Sequence, residues 1–375
     1  MSDILFVTWD GGGNVPPALG IAAELRSRGH VIRFLGHSSQ HRALSDADFE
    51  VAPNRHARAF SALDDNSPAR MIATFGDTGM GKDLLDAVAQ RPADLVVIDC
   101  LMFGALDAAR RANLRYAVLE HFYDSYYEKG CLRGPLGLSL RLRRLAPRRA
   151  LQNALARVVT AAPELDEAAA EATARGLTYV GPVVDIRPRV DAEPTVLVSL
   201  STFSFRGMRG ALQNVVDATR DLGVRVVVTT GHAIDPAELN VGPSVEVHQF
   251  VPHAELMPQV SLLVGHGGHG TTMQALAHDL PVLLMPMGKV TDQPVVGRSL
   301  VEAGAGQMVA KTAAPSLINS VLAEMLANDS YRVAAARLGA AIRSRPGATG
   351  GADALEGLLS VPGTPQLPGG REAPP

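Results

Sequence analysis

The 375 residues carry 35 Lys and Arg against 38 Asp and Glu, a formal net charge of −3, with 46% hydrophobic and 19% charged residues. That balance describes a globular chain long enough for two domains, and it gives no electrostatic reason to expect nucleic acid as a partner. Only Cys100 and Cys131 occur, in no C-x-x-C or Cys/His ligand pattern, so neither a disulfide framework nor a structural zinc site is expected. Met1-Ser2-Asp3 runs into an apolar strand without a basic leader, and no apolar run reaches the roughly 18 residues of a membrane span. The expected location is a reducing cytoplasm.

In chain order, Ile4 to Trp9 predicts a buried strand, Asp10-Gly11-Gly12-Gly13-Asn14 a glycine-rich loop, Pro17 to Arg28 a helix with proline in its first turn, and His30 to Leu35 a second strand. Position 16 is proline, so this loop does not complete a dinucleotide fingerprint. Residues 52–82 are polar and weakly periodic and read as a long connection over a cleft. Leu95 to Ile98 is a strand ending in Asp99, Phe103 to Asn113 its helix, and Ala117 to Leu119 a strand ending in Glu120-His121-Phe122-Tyr123. Phe122, Tyr123, Tyr126 and Tyr127 concentrate aromatic faces in a chain only 5% aromatic, a surface suited to an apolar ligand or to ordinary packing.

Between Arg133 and Arg157 seven arginines and no acidic residue alternate with leucines. Such a segment can meet an anionic membrane, but Pro147 and the short apolar stripe favour a solvated helix face. A short strand at Arg157 to Thr160 and a helix from Pro163 to Arg175 follow, and residues 186–194 read as an interdomain linker. Strand and helix then alternate again: Thr195 to Leu200, Met208 to Leu222, Arg225 to Thr229, Val245 to His248, Leu262 to Val264, Pro281 to Pro286, Val295 to Ala303, Pro315 to Ala327 and Tyr331 to Arg343. Two such halves predict an α/β protein of two doubly wound domains facing one another across a cleft. Residues 362–375 are rich in proline and glycine and predict a disordered tail.

The most informative stretch is Gly265-His266-Gly267-Gly268-His269-Gly270-Thr271, which follows an apolar strand and opens a helical pattern through Ala277. A helix N-terminus offers unpaired N–H groups and the positive end of its dipole, and glycines let a ligand approach the backbone, so a diphosphate suits it. The spacing also satisfies G-x-G-x-x-G formally. However, Met285-Pro286-Met287 stands where a nicotinamide-binding domain needs an acid for the ribose, so an oxidoreductase is the weaker reading.

Phe250-Val251-Pro252, this loop, Pro281, Asp292-Gln293 and Gly304-Ala305-Gly306 together resemble the donor half of the GT-B, family-one glycosyltransferases that decorate macrolide, enediyne and aromatic polyketide natural products. The resemblance implies a GT-B fold: an acceptor-binding domain over 1–185, a donor-binding domain over 195–345, and a helix at 346–361 packing back on the first domain. It implies an inverting transfer of a hexose or deoxyhexose from a nucleotide diphosphate sugar to a hydroxyl of an apolar aglycone. His266, Gly268, Gly270 and Thr271 would hold the diphosphate, Asp292 and Gln293 the sugar hydroxyls, and Val251 and Pro252 the nucleobase. Ser201 and Thr202 match a donor-contacting loop, and His121, Phe122 and Tyr123 would face the acceptor.

No cofactor is implied beyond the nucleotide sugar as co-substrate. No metal is implied either, since Asp46-Ala47-Asp48 lies in a polar connection and reads as a solvated turn. The expected partners are nucleotide sugar and apolar acceptor; membrane contact is not the favoured reading, and a homodimer is left open. The family's first loop carries a histidine as general base, paired with an aspartate on a later strand. Here those positions read Asn14 and Asp99, and an amide takes no proton near neutrality. Three accounts stay open: Asp10 or Asp99 acts as the base directly, the acceptor is acidic enough to need little help, or catalysis is lost and the protein binds. His121 is a further candidate.

Overall fold

The computed structural model describes residues 1–61, 67–190, 192–200 and 203–360. The first half is a seven-stranded sheet of β1 (Asp3–Val7), β2 (Val31–Leu35), β3 (Glu50–Val51), β4 (Leu95–Asp99), β5 (Tyr116–Glu120), β6 (Arg157–Val159) and β7 (Leu177–Tyr179), in the order β3-β2-β1-β4-β5-β6-β7. The second half is a six-stranded sheet of β8 (Thr195–Ser199), β9 (Arg225–Thr229), β10 (Val245–His248), β11 (Leu262–Gly265), β12 (Val282–Leu284) and β13 (Gly306–Met308), in the order β10-β9-β8-β11-β12-β13. Every pairing is parallel. Helices cover both faces of such sheets, which is why β4, β5 and β8 are buried along their whole length and read as uninterrupted apolar runs.

Strand order reverses beside β1 and β4 in the first sheet and beside β8 and β11 in the second. In an open parallel sheet the crevice for a ligand lies past the carboxyl ends of such strands. Asn14 and Asp99 follow β1 and end β4, while the glycine-histidine loop follows β11, so both sequence signals fall at switch points. The loops also approach each other across the halves: a Cβ on Gly12 would lie 3.8 Å from the Phe203 ring.

Two expectations need correction. Residues 52–82 are not one long connection but contain helices Pro68–Phe75 and Thr78–Gln90. The second buries Met80, Leu84 and Ala87, and its glycines mark close packing rather than a loop: a Cβ on Gly79 would stand 2.1 Å from the His56 carbonyl oxygen, and one on Gly81 2.6 Å from that of Gly104. The helix expected from Pro163 to Arg175 is broken into short 3-10 turns at Pro163–Leu165 and Glu167–Glu171 and a final turn at Ala172–Arg175. Buried Asp166 bends it, accepting from the backbone N–H groups of Asp124, Ser125 and Ala168 and from the Tyr179 hydroxyl. The segment before β8 is hydrogen-bonded to the second half: Gln274 Oε1 accepts from Asp185 N at 3.0 Å, and His278 Nε2 from Arg187 N at 3.3 Å. The predicted tail at 362–375 lies outside the described residues.

The basic segment folds into helices Pro135–Leu142 and Pro147–Asn153, with Arg141, Arg143, Arg144, Arg148 and Arg149 exposed beside Leu138 and Leu142. Among the described residues no helix is long and apolar enough to cross a membrane.

The last helix, Gly347–Leu359, leaves the second half and packs on the helix Val15–Ser27. Ala352 and Leu355 join the core of Ile4, Phe6 and Ile21, and Arg28 pairs with Asp353 at 2.7 Å and Glu356 at 2.6 Å. Leu355 is fully buried, so Leu355→Ala should destabilise the protein by about 2–4 kcal/mol, measured by urea unfolding. A change below about 0.5 kcal/mol would mean that this helix does not tie the halves together.

Candidate active site

On the second half, β11 delivers the chain to Gly267, whose φ of +84° supplies a left-handed turn that L side chains rarely adopt. Gly268 then caps the helix His269–Ala277 in extended conformation. The first-turn N–H groups of a helix lack intrahelical acceptors. At Gly270 the approach is open, because a Cβ there would meet nothing within 4 Å. Gly268 is different: a Cβ would stand 2.3 Å from His266 Nε2, so this glycine makes room for the imidazole beside the helix terminus. Thr271 is half-buried in the same first turn.

The histidines here are neutral. Burial pulls His266 down to about 4, with His253 pushing the same way and the Ser199 backbone opposing. Burial likewise pulls His269 down to about 3, aided by His121 and opposed by Asp166. Among the described residues, His266 Nδ1 and His269 Nε2 are buried without a hydrogen-bond partner. Asp292, at the start of the helix Gln293–Glu302, is pushed up to about 6 by burial, while His121 and the backbone N–H groups of Asp292, His269 and Gln293 pull it back. Gln293 is buried, and its Oε1 accepts from Met287 N at 2.7 Å and Gly288 N at 3.1 Å, which shapes the loop before it. Val251 is half-buried and Pro252 exposed ahead of His253, a neighbour of His266 that the sequence reading passed over. Ser201 and Thr202 lie outside the described residues.

On the first half, Asn14 is 1% exposed and its Nδ2 donates to Trp9 O at 3.0 Å, Thr8 Oγ1 at 3.1 Å and Asp99 Oδ2 at 3.2 Å. Asp99 Oδ1 accepts from Leu101 N at 2.9 Å, and Oδ2 lies 3.2 Å from His121 Nδ1. The expected aspartate is therefore present with a histidine on it, but that histidine comes from β5 and not from the first loop. The Asp10 charge acts on His37, raising it against the burial that holds its ring down to about 4. Phe122 is buried edge-on to His121, with centroids 4.5 Å apart. Tyr123 is not on an open acceptor surface: it is 1% exposed, T-shaped against His269 at 5.4 Å, with its hydroxyl 3.4 Å from Ser299 Oγ. It belongs to the contact between the halves, as does Tyr126, which donates to Val290 O at 2.8 Å.

Among the described residues, two groups of side chains could hold a cation by proximity, Asp99-Cys100-His121 and His56-Asp83-Asp86. In the first, Asp99 and Cys100 both approach Nδ1 of His121, at 3.2 and 3.9 Å, which is hydrogen-bond geometry around one ring nitrogen. In the second, the Asp83 carboxylate already accepts from the backbone N–H groups of Arg55, His56 and Ala57. A cavity of about 630 Å³ lies elsewhere on the first half, lined by Lys129, Arg148, Arg157 and Arg175 among others. Those cations are paired with Glu167, Glu128, Glu120 and Asp124, and Asp124 respectively, so the cavity is self-neutralised and a poor phosphate site.

Residues 213–358 match the family described as Erythromycin biosynthesis protein CIII-like, C-terminal domain. The chain is 27% identical to a demethyllactenocin mycarosyltransferase of Streptomyces fradiae, over 96% of this chain and 87% of that protein. The chain has the GT-B fold and is a glycosyltransferase, similar to those of the natural-product type. Among solved structures, the glycotransferase of kitacinnamycin superposes on this glycosyltransferase with a TM-score of 0.80 at 22% identity, covering 96% of this chain and 99% of that one. The glycosyltransferase VinC in complex with DTDP gives 0.71 at 20%, covering 95% and 98%.

The neutral histidines of this glycosyltransferase carry a pH signature. An imidazole with a folded value below its ordinary 6.5 binds fewer protons than in the unfolded chain, so its stabilising share is full above 6.5 and is lost as pH falls towards 4. Asp292, raised from 3.8, acts oppositely: its share is full in acid and is lost as pH rises through about 6. Between about pH 7 and 5, His266→Gln should lose on the order of 1 kcal/mol less stability than the parent in urea unfolding. Equal losses would mean that the ring is not held neutral by burial.

Proposed function

We propose that the protein moves a hexose or deoxyhexose from a nucleoside diphosphate sugar to a hydroxyl of an apolar natural-product aglycone, with inversion at the anomeric carbon. The observation that carries this is the open helix terminus at Gly270, at the switch point of the second sheet and facing a buried aspartate–histidine pair from the first. The leaving diphosphate gains negative charge as the glycosidic bond breaks, so N–H dipoles fixed in place stabilise the transition state more than the bound substrate. His266 and the Thr271 hydroxyl add polar contacts on the same side. In this reading they do the work that a divalent cation does elsewhere, and the nucleotide sugar is a co-substrate with no further cofactor. Val251 and Pro252 border the nucleobase, and Asp292 offers a carboxylate to sugar hydroxyls, with Gln293 placing the loop in front of it. That a related structure was solved with DTDP supports a nucleoside diphosphate as the donor's leaving part.

Inversion fits a single displacement in which acceptor and leaving group sit on opposite faces of the sugar, as two facing halves provide. A retaining reaction would ask for a carboxylate nucleophile at the anomeric carbon.

Gly270→Leu tests the donor site without touching packing, since the added side chain enters open space. Its melting temperature should match or exceed the parent's, and calorimetry with UDP and dTDP should show affinity reduced by at least about tenfold, or 1.4 kcal/mol. Asp292→Asn should behave in reverse, keeping diphosphate affinity while lowering kcat/KM for the sugar donor by about tenfold or more. Undiminished binding in Gly270→Leu would place the diphosphate away from this helix.

A further inference from the structure

The first loop offers Asn14 where a base is needed, yet its surroundings are arranged around a histidine. Asn14 Nδ2 spends its donors on Thr8, Trp9 and Asp99, so the amide serves as a brace for the end of β1 and for the carboxylate. Asp99 has one oxygen held by Leu101 N and the other shared between Asn14 Nδ2 and His121 Nδ1. A carboxylate beside Nδ1 fixes the proton on that nitrogen and leaves the Nε2 lone pair available. The ring is held edge-on by Phe122 and is 10% exposed, partly reachable rather than sealed in the core. It also lies near enough to the second half to act on both Asp292 and His269, the groups at the sugar end of the donor site.

We propose that His121 is the general base of the transfer, that Asp99 is its positioning residue, and that Asn14 braces the pair. The proposal rests on the glycosyl-transfer reading above. As the acceptor hydroxyl attacks, its proton passes to His121 Nε2 and its oxygen lone pair forms the bond to the anomeric carbon. The bond from that carbon to the phosphate oxygen breaks, its electron pair leaving on the nucleoside diphosphate at the helix His269–Ala277. The imidazolium then returns its proton to solvent. Three positions set this arrangement: Asp99 ends β4, His121 follows β5, and β4 and β5 are hydrogen-bonded neighbours. The proton acceptor has thus moved from the loop after β1 to the strand end two places along the sheet, keeping the same aspartate.

The test compares two acceptors of similar shape and different acidity, 2-naphthalenemethanol and 6-nitro-2-naphthol, with UDP- or dTDP-glucose as donor. His121→Gln keeps the size of the ring approximately and removes the base. It should bind UDP or dTDP within about twofold of the parent and lose at least about 100-fold in kcat with the alcohol, but less than about tenfold with the nitronaphthol, whose hydroxyl is far more acidic than the alcohol's and needs less help. Asp99→Asn should show the same dependence on acceptor acidity with a smaller loss. Full alcohol transfer by His121→Gln overturns the proposal, and so does an equal loss with both acceptors or a loss of diphosphate binding, since either marks a structural role. A parent enzyme that binds diphosphate yet transfers to neither acceptor fails at the functional reading, which takes the base with it.

Discussion

The parallel order of the two sheets is the constraint on which the site depends. Because β1 lies between β2 and β4, and β8 between β9 and β11, the chain leaves neighbouring strand ends in opposite directions and opens a crevice past them. Pairing of Val7 with Ile98 brings the loop holding Asn14 beside Asp99, and pairing of Ser199 with Gly265 aims the glycine-histidine loop at the other half. The halves are held facing by contacts that use site residues themselves, Tyr123 on His269 and Tyr126 on the Val290 carbonyl, and by the last helix returning to the first. Packing and chemistry are therefore coupled: loosening the contact between the halves moves His121 relative to Asp292.

Electrostatically the cleft is poised for an anion that arrives from outside. It offers helix-terminal N–H dipoles and two neutral imidazoles, so the unliganded protein has no concentrated positive charge to neutralise. The arginines that line the cavity of the first half are consumed by Glu120, Asp124 and Glu128 in a network that braces β5 and β6.

Much of this was legible in the residues. Buried parallel strands are apolar runs and could be read directly, and the turn from β11 into its helix was marked by glycines and histidines whose order also carried the family resemblance. What escaped had physical reasons. The helix Thr78–Gln90 contacts its neighbours through glycine, which in a sequence looks like a loop. Asp166 broke a regular helical pattern by accepting from three backbone N–H groups in two segments at once. Tyr123 looked like a ligand surface because an aromatic cluster has the same composition whether it faces solvent, substrate or another domain. The Asp99–His121 pair could not be read from spacing at all, since it depends on register: β4 and β5 pair Asp99 with Leu119, and residue 121, two further on, returns to that side of the sheet.

The most direct measurement is a crystal structure of the protein with a bound nucleoside diphosphate. The diphosphate should lie on the backbone N–H groups of Gly268 to Thr271, with its terminal phosphate towards Asp292 and His121. A diphosphate seated instead among the arginines around Arg148 and Arg175, with the helix terminus at Gly270 left bare, would contradict the assignment of the donor site.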